Sequence, residues 1–261
     1  MIRFAELEMR MPDLQAQFAK ARPFSHLIID DFCDGNRLAE LTDMIPDPIV
    51  EKIHKSRDYM FARNKFEKSH FQHIGPIFQE LYDDLTSDRM RRILCYITGD
   101  DVFVDPAFHG GGVHQGGRGS FLDMHVDFSH HPLHADWCRY LNILLYLNRS
   151  WLPQYKGELK LRNRMTGESR EVSPLFNRCV IMHTRDYTLH GYDPIQFPEG
   201  HYRRSIAAYA YKLTDEAALR PRSTTWYPEH SGTVKRAVGR FWPTLVRWKC
   251  ALFGSGTVKN S

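Results

Sequence analysis

The 261-residue sequence lacks the features of secreted, disulfide-stabilised and membrane-spanning proteins. Its five cysteines are odd in number, and no two of them form a CxxC pair. A disulfide framework and a thiolate zinc site are therefore not expected, and reduced thiols in a cytoplasm are the simplest interpretation. No apolar run approaches the roughly 20 residues that cross a bilayer. The first residues contain no apolar stretch of the kind found in signal peptides, so we expect none.

Internal repeats and low-complexity segments are also missing, which excludes solenoid and fibrous architectures. The hydrophobic fraction of 42% allows one domain with a sizeable core, and the charged fraction of 25% gives no reason to expect disorder. No HExxH motif is present, so a zinc hydrolase of that type is not indicated.

Positive charge is concentrated at the end of the chain. Residues 217–261 contain eight Lys or Arg and one acidic residue, a net charge of +7, which leaves residues 1–216 near −3. We interpret residues 214–261 as a basic C-terminal extension. Residues 233–253 mix basic side chains with Trp and Leu, which fits either a membrane or other anionic surface, or a helix packed on the domain. No nucleic-acid-binding motif is recognisable, so no nucleic-acid partner is expected.

Helices come first in the predicted order of elements. Residues 26–32 are predicted as a strand, and residues 36–45 as a helix capped by a preceding Asp or Asn. Two more helices are predicted over residues 77–86 and 87–99, the second ending at a glycine. Residues 50–70 show no clean periodicity and are predicted as a loop or lid.

Short β-rich segments separated by Gly, Pro, Asn and Asp occupy residues 100–213, which is typical of an antiparallel sandwich or barrel. The predicted fold class is therefore α+β, mainly β, with helices packed on one face of the sheet. We predict one domain over residues 1–213, with helical support over about 1–100 and a β core over about 100–213.

Three residues suggest a metal site. His125 and Asp127 lie at the end of a predicted strand, where residues i and i+2 point to the same face. His190 lies in a second predicted strand that can bring it against the first two. Two imidazoles and one carboxylate leave one side of the ion open, as expected for a non-haem Fe(II) that activates O₂. The sequence contains 14 histidines, so a surface histidine is the alternative reading of an HxD pair taken alone.

A carboxylate-binding pocket is suggested by Arg203 and Ser205, which lie on the same face of the last predicted strand. A buried guanidinium suits bidentate capture of a carboxylate, and the alternative is an exposed strand end. Arg204 must point the other way, so we expect one arginine of this pair to be solvated.

The strand over residues 139–148 adds polar candidates. We predict that Tyr140, Asn142, Leu144 and Tyr146 share one face, with Asn142 and Tyr146 supplying polar contacts in the pocket. A core tyrosine with a satisfied hydroxyl is the alternative for Tyr146. His114 and Gln115 are weaker candidates for contacts with a cosubstrate or substrate, because the glycine-rich run around them also fits a turn.

Taken together, the segments resemble the Fe(II)/2-oxoglutarate-dependent oxygenases of the prolyl-4-hydroxylase-like branch, over about residues 24–213. The similar stretches are GGGVHQGGRGSFLDMHVDF (110–128), RYLNILLYLN (139–148) with Trp151, YKGELKL (155–161), YTLHGY (187–192) and RRSIAAYAY (203–211). The resemblance implies a double-stranded β-helix, or jelly roll. It also implies Fe(II) on His125, Asp127 and His190, O₂ as oxidant, and 2-oxoglutarate held by Arg203 with help from Tyr146.

The implied reaction is hydroxylation of an unactivated C–H bond of a small metabolite or tethered biosynthetic intermediate, with release of succinate and CO₂. Asp127 is retained where related halogenases have a small residue, so halogenation is not expected. Ser129 and Lys156 differ from the residues that are common at these positions in such relatives. The resemblance therefore does not identify the substrate. The alternatives are a peptidyl residue, a membrane-associated glycoconjugate, and a non-catalytic metal- or 2-oxoglutarate-binding sensor. We expect a cytoplasmic protein. Peripheral contact of the basic extension with a membrane is left as an alternative. The sequence does not indicate an oligomeric state.

Overall fold

The computed structural model describes residues 1–55, 58, 60–214, 222–228 and 238. Within these residues the chain forms five α-helices and eleven β-strands. The helices are α1 (Phe4–Met9), α2 (Met11–Lys20), α3 (Gly35–Asp43), α4 (Pro76–Thr86) and α5 (Asp88–Thr98). The strands are β1 (His26–Ile29), β2 (Ala62–Lys68), β3 (Phe103–Val104), β4 (Gly112–Val126), β5 (Trp137–Tyr146), β6 (Leu159–Asn163), β7 (Ser169–Val172), β8 (Cys179–His183), β9 (Thr188–Tyr192), β10 (Arg203–Leu213) and β11 (Thr225–Trp226).

The ends of α3 and α5 follow from local capping. The Asp34 carboxylate accepts a hydrogen bond from the backbone N–H of Arg37 at 2.9 Å, and the Ser87 hydroxyl accepts one from Met90 at 3.1 Å. Gly99 ends α5 in the left-handed region, with φ 73°. The predicted helices α3 and α5 and their caps are thus confirmed, whereas α1 and α2 were not predicted.

The helices pack on one face of the sheet, as expected. One large buried cluster joins apolar side chains of all five α-helices, including Leu7, Leu14, Leu38, Leu81 and Leu94, to Ile143 of β5. Burial of these side chains supplies the main driving force for docking the helices.

The strands form one antiparallel sheet in the order β1-β8-β5-β10-β4-β9-β6-β7, with β2 and β11 also paired to β4 and β3 paired to β10. The 15-residue β4 changes partner along its length. Residues 112–116 pair with β10, and His125 pairs with His190 of β9. The sheet therefore curls into a double-stranded β-helix, and the predicted fold class is confirmed.

The prediction of a loop over residues 50–70 is wrong for β2, which pairs with β4 along both of its halves. Its pattern was hidden because charged side chains face inward and because the register shifts between Arg63 and Lys65. Asn64, at this shift, has a left-handed backbone with φ 53°. The four-residue β7 was also missed, because three of its side chains are exposed.

The short β11 lies in the predicted basic extension, yet Thr225 and Trp226 pair with Val126 and His125 of β4. Most of that extension, including the segment 233–253 except position 238, lies outside the described residues. None of the four cysteines in the described ranges forms a disulfide. Among the helices that the structure describes, none combines the length and the apolar character needed to span a membrane.

Candidate active site

His125, Asp127 and His190 come together at the point where β4 and β9 pair. Nε2 of His125 lies 3.5 Å from Oδ1 of Asp127, and Nε2 of His190 lies 3.5 Å from Oδ2. All three side chains are buried, and one ligand atom from each lies within 4.8 Å of the others. The two strands are adjacent, and His125 lies directly opposite His190.

The His125 ring is fixed from two sides. Its Nδ1 lies 2.9 Å from the carbonyl oxygen of Asp123, which favours a proton on Nδ1 and leaves Nε2 directed toward Asp127. Trp226 of β11 packs against the ring at 4.8 Å between centroids, and Trp226 itself stacks on Phe61 at 5.1 Å. The C-terminal strand therefore forms one wall of the candidate metal site.

Asp127 is held by two polar neighbours at a single carboxylate oxygen. Nδ2 of Asn142 donates to Oδ2 at 2.8 Å, and Nη2 of Arg139 lies 3.1 Å from the same atom. Arg139 also donates to Oδ1 of Asn142 at 2.8 and 3.0 Å. Asn142 therefore contacts the candidate metal ligand, while its predicted contact with the cosubstrate stays a prediction.

Arg139 was not identified from the sequence because a β-bulge changes which residues face inward. Leu141 pairs with Ala210 but Arg139 pairs with Tyr211, so Tyr140 is the extra residue in β5. The prediction that Tyr140 shares a face with Asn142 is wrong, because the bulge turns Arg139 into the cavity. The Tyr140 side chain instead packs in the large buried cluster, and its hydroxyl donates to Asp100.

The charge states of the triad suit a divalent cation. Burial works to raise the pKa of Asp127, but Arg139 and the two histidines hold it well below its ordinary value. Burial, with a further effect of His125, lowers the pKa of His190 to about 3. An ionised carboxylate and a neutral imidazole are the forms that ligate metals, and two N donors with one O donor fit Fe(II).

Arg203 lies in a second buried pocket beside the triad. Its Nε donates to the Gly157 carbonyl at 2.7 Å, and its Nη2 donates to the Tyr146 hydroxyl at 3.2 Å. The guanidinium also packs over the Tyr192 ring at 4.4 Å. Ser205 is buried on the same face, so the structure brings the predicted residues Arg203, Ser205 and Tyr146 together.

Gly157 allows the chain to approach this arginine. Its φ of 88° lies in the left-handed region, and a Cβ atom there would lie 2.8 Å from Ile195 and 3.1 Å from Cδ of Arg203. Lys156, a departure noted in the sequence, also has a positive φ of 57°.

The expectation that one arginine of the Arg203–Arg204 pair is solvated is wrong. Arg204 is half-buried on the opposite face, where its Nε donates to Oε1 of Gln115 at 2.9 Å. The Gln115 amide in turn donates to the Pro46 carbonyl at 3.0 Å. Gln115 therefore points away from the metal triad, whereas His114 lines the same cavity as the triad.

One cavity of about 280 Å³ joins these features. It is lined by the triad, by Arg203 and Ser205, and by side chains of β2 and the C-terminal segment, namely Lys65, Glu67, Thr224 and Trp226. The last four were not predicted, because the sequence gives no signal for contacts made across a curled sheet.

A curled antiparallel sheet that holds two histidines and a carboxylate beside a buried arginine defines an oxygenase-type double-stranded β-helix. The family model described as the 2OG-Fe(II) oxygenase superfamily matches residues 111–211, the stretch that contains the triad and Arg203. The match identifies residues 111–211 as a 2OG-Fe(II) oxygenase domain and indicates a 2-oxoglutarate-dependent dioxygenase, whose cofactor and cosubstrates are Fe(II), 2-oxoglutarate and O₂. A comparison with curated protein sequences found no match.

Solved structures with this fold include three prolyl hydroxylases. The Trichoplax adhaerens prolyl hydroxylase, in complex with a hypoxia inducible factor peptide, has a TM-score of 0.60 at 15% identity, covering 80% of this chain and 92% of that one. A Pseudomonas putida prolyl-4-hydroxylase has a TM-score of 0.54 at 14% identity, covering 78% and 100%. A prolyl 4-hydroxylase from Phytophthora capsici has a TM-score of 0.55 at 16% identity, covering 97% and 80%. At these identities the likeness shows the fold.

Proposed function

We propose that His125, Asp127 and His190 bind Fe(II) and that Arg203, with Tyr146 and Ser205, binds the distal carboxylate of 2-oxoglutarate. The protein then hydroxylates an unactivated C–H bond of a small metabolite or a tethered biosynthetic intermediate. The observation that carries this proposal is that the triad and Arg203 line the same buried cavity. A cosubstrate bound at the triad would share this cavity with Arg203.

The bound metal supplies activation of O₂, coupled to conversion of 2-oxoglutarate to succinate and CO₂. The chain supplies position and charge. Asp127 provides a carboxylate that Arg139 and Asn142 keep in one orientation. Arg203 presents a guanidinium whose Nε is already fixed by Gly157, so little side-chain freedom is lost when a carboxylate binds.

The size of the cavity supports a small reacting group. Its volume of about 280 Å³ lies at the lower end of ligand pockets, and it must hold the cosubstrate as well. The complete triad and the adjacent Arg203 favour turnover over a non-catalytic sensor.

The test is anaerobic titration of the apoprotein with Fe(II) and then with 2-oxoglutarate. Chelation of Fe(II) by the cosubstrate gives a metal-to-ligand charge-transfer absorbance. We expect the absorbance in the wild type and in His134→Ala, an exposed histidine, and its loss in His190→Ala. Equal absorbance in the wild type and His190→Ala would contradict the metal assignment. Mass spectrometry of a metabolite panel, read for the gain of one oxygen atom, then identifies the substrate.

Contact of the basic extension with an anionic membrane is a separate proposal, supported by its composition alone. Sedimentation with anionic liposomes, with and without residues 233–261, tests it. Equal sedimentation of both proteins would contradict membrane contact and favour a packed helix or a solvated helix face for these residues.

A further inference from the structure

The strand β2 places an ion pair inside the cavity. Lys65 and Glu67 are two residues apart and both line it, with Nζ of Lys65 2.7 Å from Oε1 of Glu67. Both side chains are mostly shielded from bulk solvent, with 20% and 27% of their surface exposed. A charged pair therefore forms part of the wall that a substrate meets.

The register of the sheet locates this pair relative to the cosubstrate pocket. Lys65 lies opposite Gly116 of β4, and Gly116 lies opposite Arg203 of β10. In the next row, Glu67 lies opposite His114, which lies opposite Ser205. The pair thus lies on the opposite side of β4 from Arg203. Gly116, between them in this row, has no side chain of its own, and Ser120 and Tyr192 approach it, at 2.9 Å and 3.6 Å from where its Cβ would lie.

The energetics of the pair point to recognition of a ligand. Removing two charges from water costs about as much as their mutual attraction returns, so well-packed apolar residues would serve the fold at least as well. The candidate metal ligands are held by Arg139, Asn142 and the Asp123 carbonyl, and Arg203 is held by Tyr146 and Gly157. Neither Lys65 nor Glu67 is among the groups that hold these residues by hydrogen bonds or ion pairs.

We propose that Lys65 and Glu67 bind a substrate that carries a carboxylate and an ammonium group on one carbon, as a free α-amino acid does. This inference rests on the proposed function. The two charges of an α-amino acid are separated by about the length of a hydrogen bond, which matches the 2.7 Å between Nζ and Oε1. On binding, Lys65 pairs with the carboxylate and Glu67 with the ammonium group, so these partly shielded charges exchange each other for the opposite charges of the ligand.

The negative charge of Glu67 within the pair also distinguishes the substrate from the cosubstrate. 2-Oxoglutarate carries two negative charges, and Glu67 beside Lys65 disfavours a second carboxylate at this end of the cavity. Arg203 has no acidic partner among the hydrogen bonds described for it, which are to a carbonyl and a hydroxyl. We therefore assign the anionic cosubstrate to Arg203 and the zwitterion to Lys65 and Glu67.

The experiment uses the full-length protein loaded anaerobically with Fe(II) and 2-oxoglutarate. Free L-amino acids are titrated in, and each is compared with its methyl ester and its N-acetyl derivative. Binding is read as a change in the charge-transfer absorbance, and the aerobic products are read by mass spectrometry. We expect at least one free amino acid to bind, with each derivative at least about tenfold weaker because a buried charge then loses its partner.

Three variants locate the interaction. Lys65→Met and Glu67→Gln are expected to weaken amino-acid binding at least about tenfold while keeping 2-oxoglutarate binding within about twofold. Arg63→Met, on the exposed side of the same strand, is the matched control and should bind like the wild type. Retained binding of Fe(II) and 2-oxoglutarate reports that each variant is folded.

Two results would overturn the inference while leaving the proposed function intact. The first is that no free amino acid binds, or that the neutralised derivatives bind equally well. The second is that Lys65→Met weakens 2-oxoglutarate binding as much as Arg203→Met does, which would place Lys65 in the cosubstrate pocket. Absence of the charge-transfer absorbance in the wild type is a different result, which contradicts the proposed function and this inference with it.

Discussion

Arg139 and Asp127 form a buried ion pair, with Nη2 of the arginine 3.1 Å from Oδ2 of the aspartate. Asn142 connects the two, since it accepts from Arg139 and donates to the same Oδ2 atom. Two donors on Oδ2 leave Oδ1 as the oxygen for a metal. The arrangement thus favours binding of the metal through one oxygen of Asp127 and keeps the carboxylate ionised.

Replacing Arg139 should weaken metal binding. Arg139→Met removes the ion pair to Asp127 and leaves a buried carboxylate without its counter-charge. Loss of such an outer partner of a metal ligand costs about 10–100-fold in metal affinity. The measurement is the Kd for Fe(II), determined anaerobically against a competing chelator.

Arg91→Met is the matched control for this variant. Arg91 also lies 2.8 Å from an aspartate, Asp101, but that pair is on the surface. It should leave the Kd unchanged, because exposed ion pairs contribute little. Equal Kd values for Arg139→Met and the wild type would show that Arg139 has no part in holding Asp127.

Replacing Arg203 should raise the 2-oxoglutarate requirement. Arg203→Met removes the guanidinium that the Gly157 carbonyl and the Tyr146 hydroxyl position in the cavity. Loss of a charged partner for a buried carboxylate costs at least about 2 kcal/mol, or roughly thirtyfold in KM. Steady-state kinetics at varied 2-oxoglutarate measures the change.

The neighbouring arginine provides the comparison. Arg204 donates to Gln115 on the other face, so Arg204→Met should change KM for 2-oxoglutarate by less than about twofold. An increase in Arg204→Met equal to that in Arg203→Met would contradict the assignment of the carboxylate pocket.

The parts of the site that could be predicted from sequence are those fixed by strand periodicity and by resemblance. His125 and Asp127 share a face because they are two residues apart, and the same holds for Arg203 and Ser205. Arg139 escaped prediction because a bulge at Tyr140 breaks the alternation of β5. Lys65 and Glu67 escaped because inward-facing charges give β2 the composition of a loop, and only pairing with β4 makes it a strand.

Trp226 is expected to stabilise the orientation of His125. Its ring packs against His125 and stacks on Phe61, and it is almost fully buried. Trp226→Ala should lower thermal stability by about 3 kcal/mol, as for other large-to-small changes in a core, and weaken Fe(II) binding. Differential scanning calorimetry and the chelator competition measure the two effects.

Trp226→Phe tests whether an aromatic ring at this position is sufficient, because it keeps a ring that can pack against His125. It should retain most of the stability and of the Fe(II) affinity. If Trp226→Ala binds Fe(II) as tightly as the wild type, β11 has no role in positioning His125.

Acidification should destabilise the apoprotein through the half-buried His183. Burial, with a further effect of Arg185, lowers the pKa of His183 to about 4 from an ordinary value of 6.5. Between these values the unfolded chain binds a proton that the folded protein does not, so stability falls as pH decreases from 6.5 to about 4. The slope is up to about 1.4 kcal/mol per pH unit for one such group.

Denaturant unfolding at several pH values measures this slope. His183→Gln should show a shallower decline below pH 6.5 than the wild type, whereas His201→Gln, an exposed histidine, should not differ from it. Identical slopes for His183→Gln and the wild type would show that His183 does not contribute.

We propose that this chain turns over 2-oxoglutarate at an iron held by His125, Asp127 and His190. The most direct measurement is succinate formation from 2-oxoglutarate by the purified protein with Fe(II) and O₂. We predict Fe(II)-dependent succinate formation by the wild type, even without the main substrate, and its loss in Asp127→Ala. Succinate formation by Asp127→Ala at the wild-type rate, or none by the iron-loaded wild type even with the substrate panel, would contradict the account.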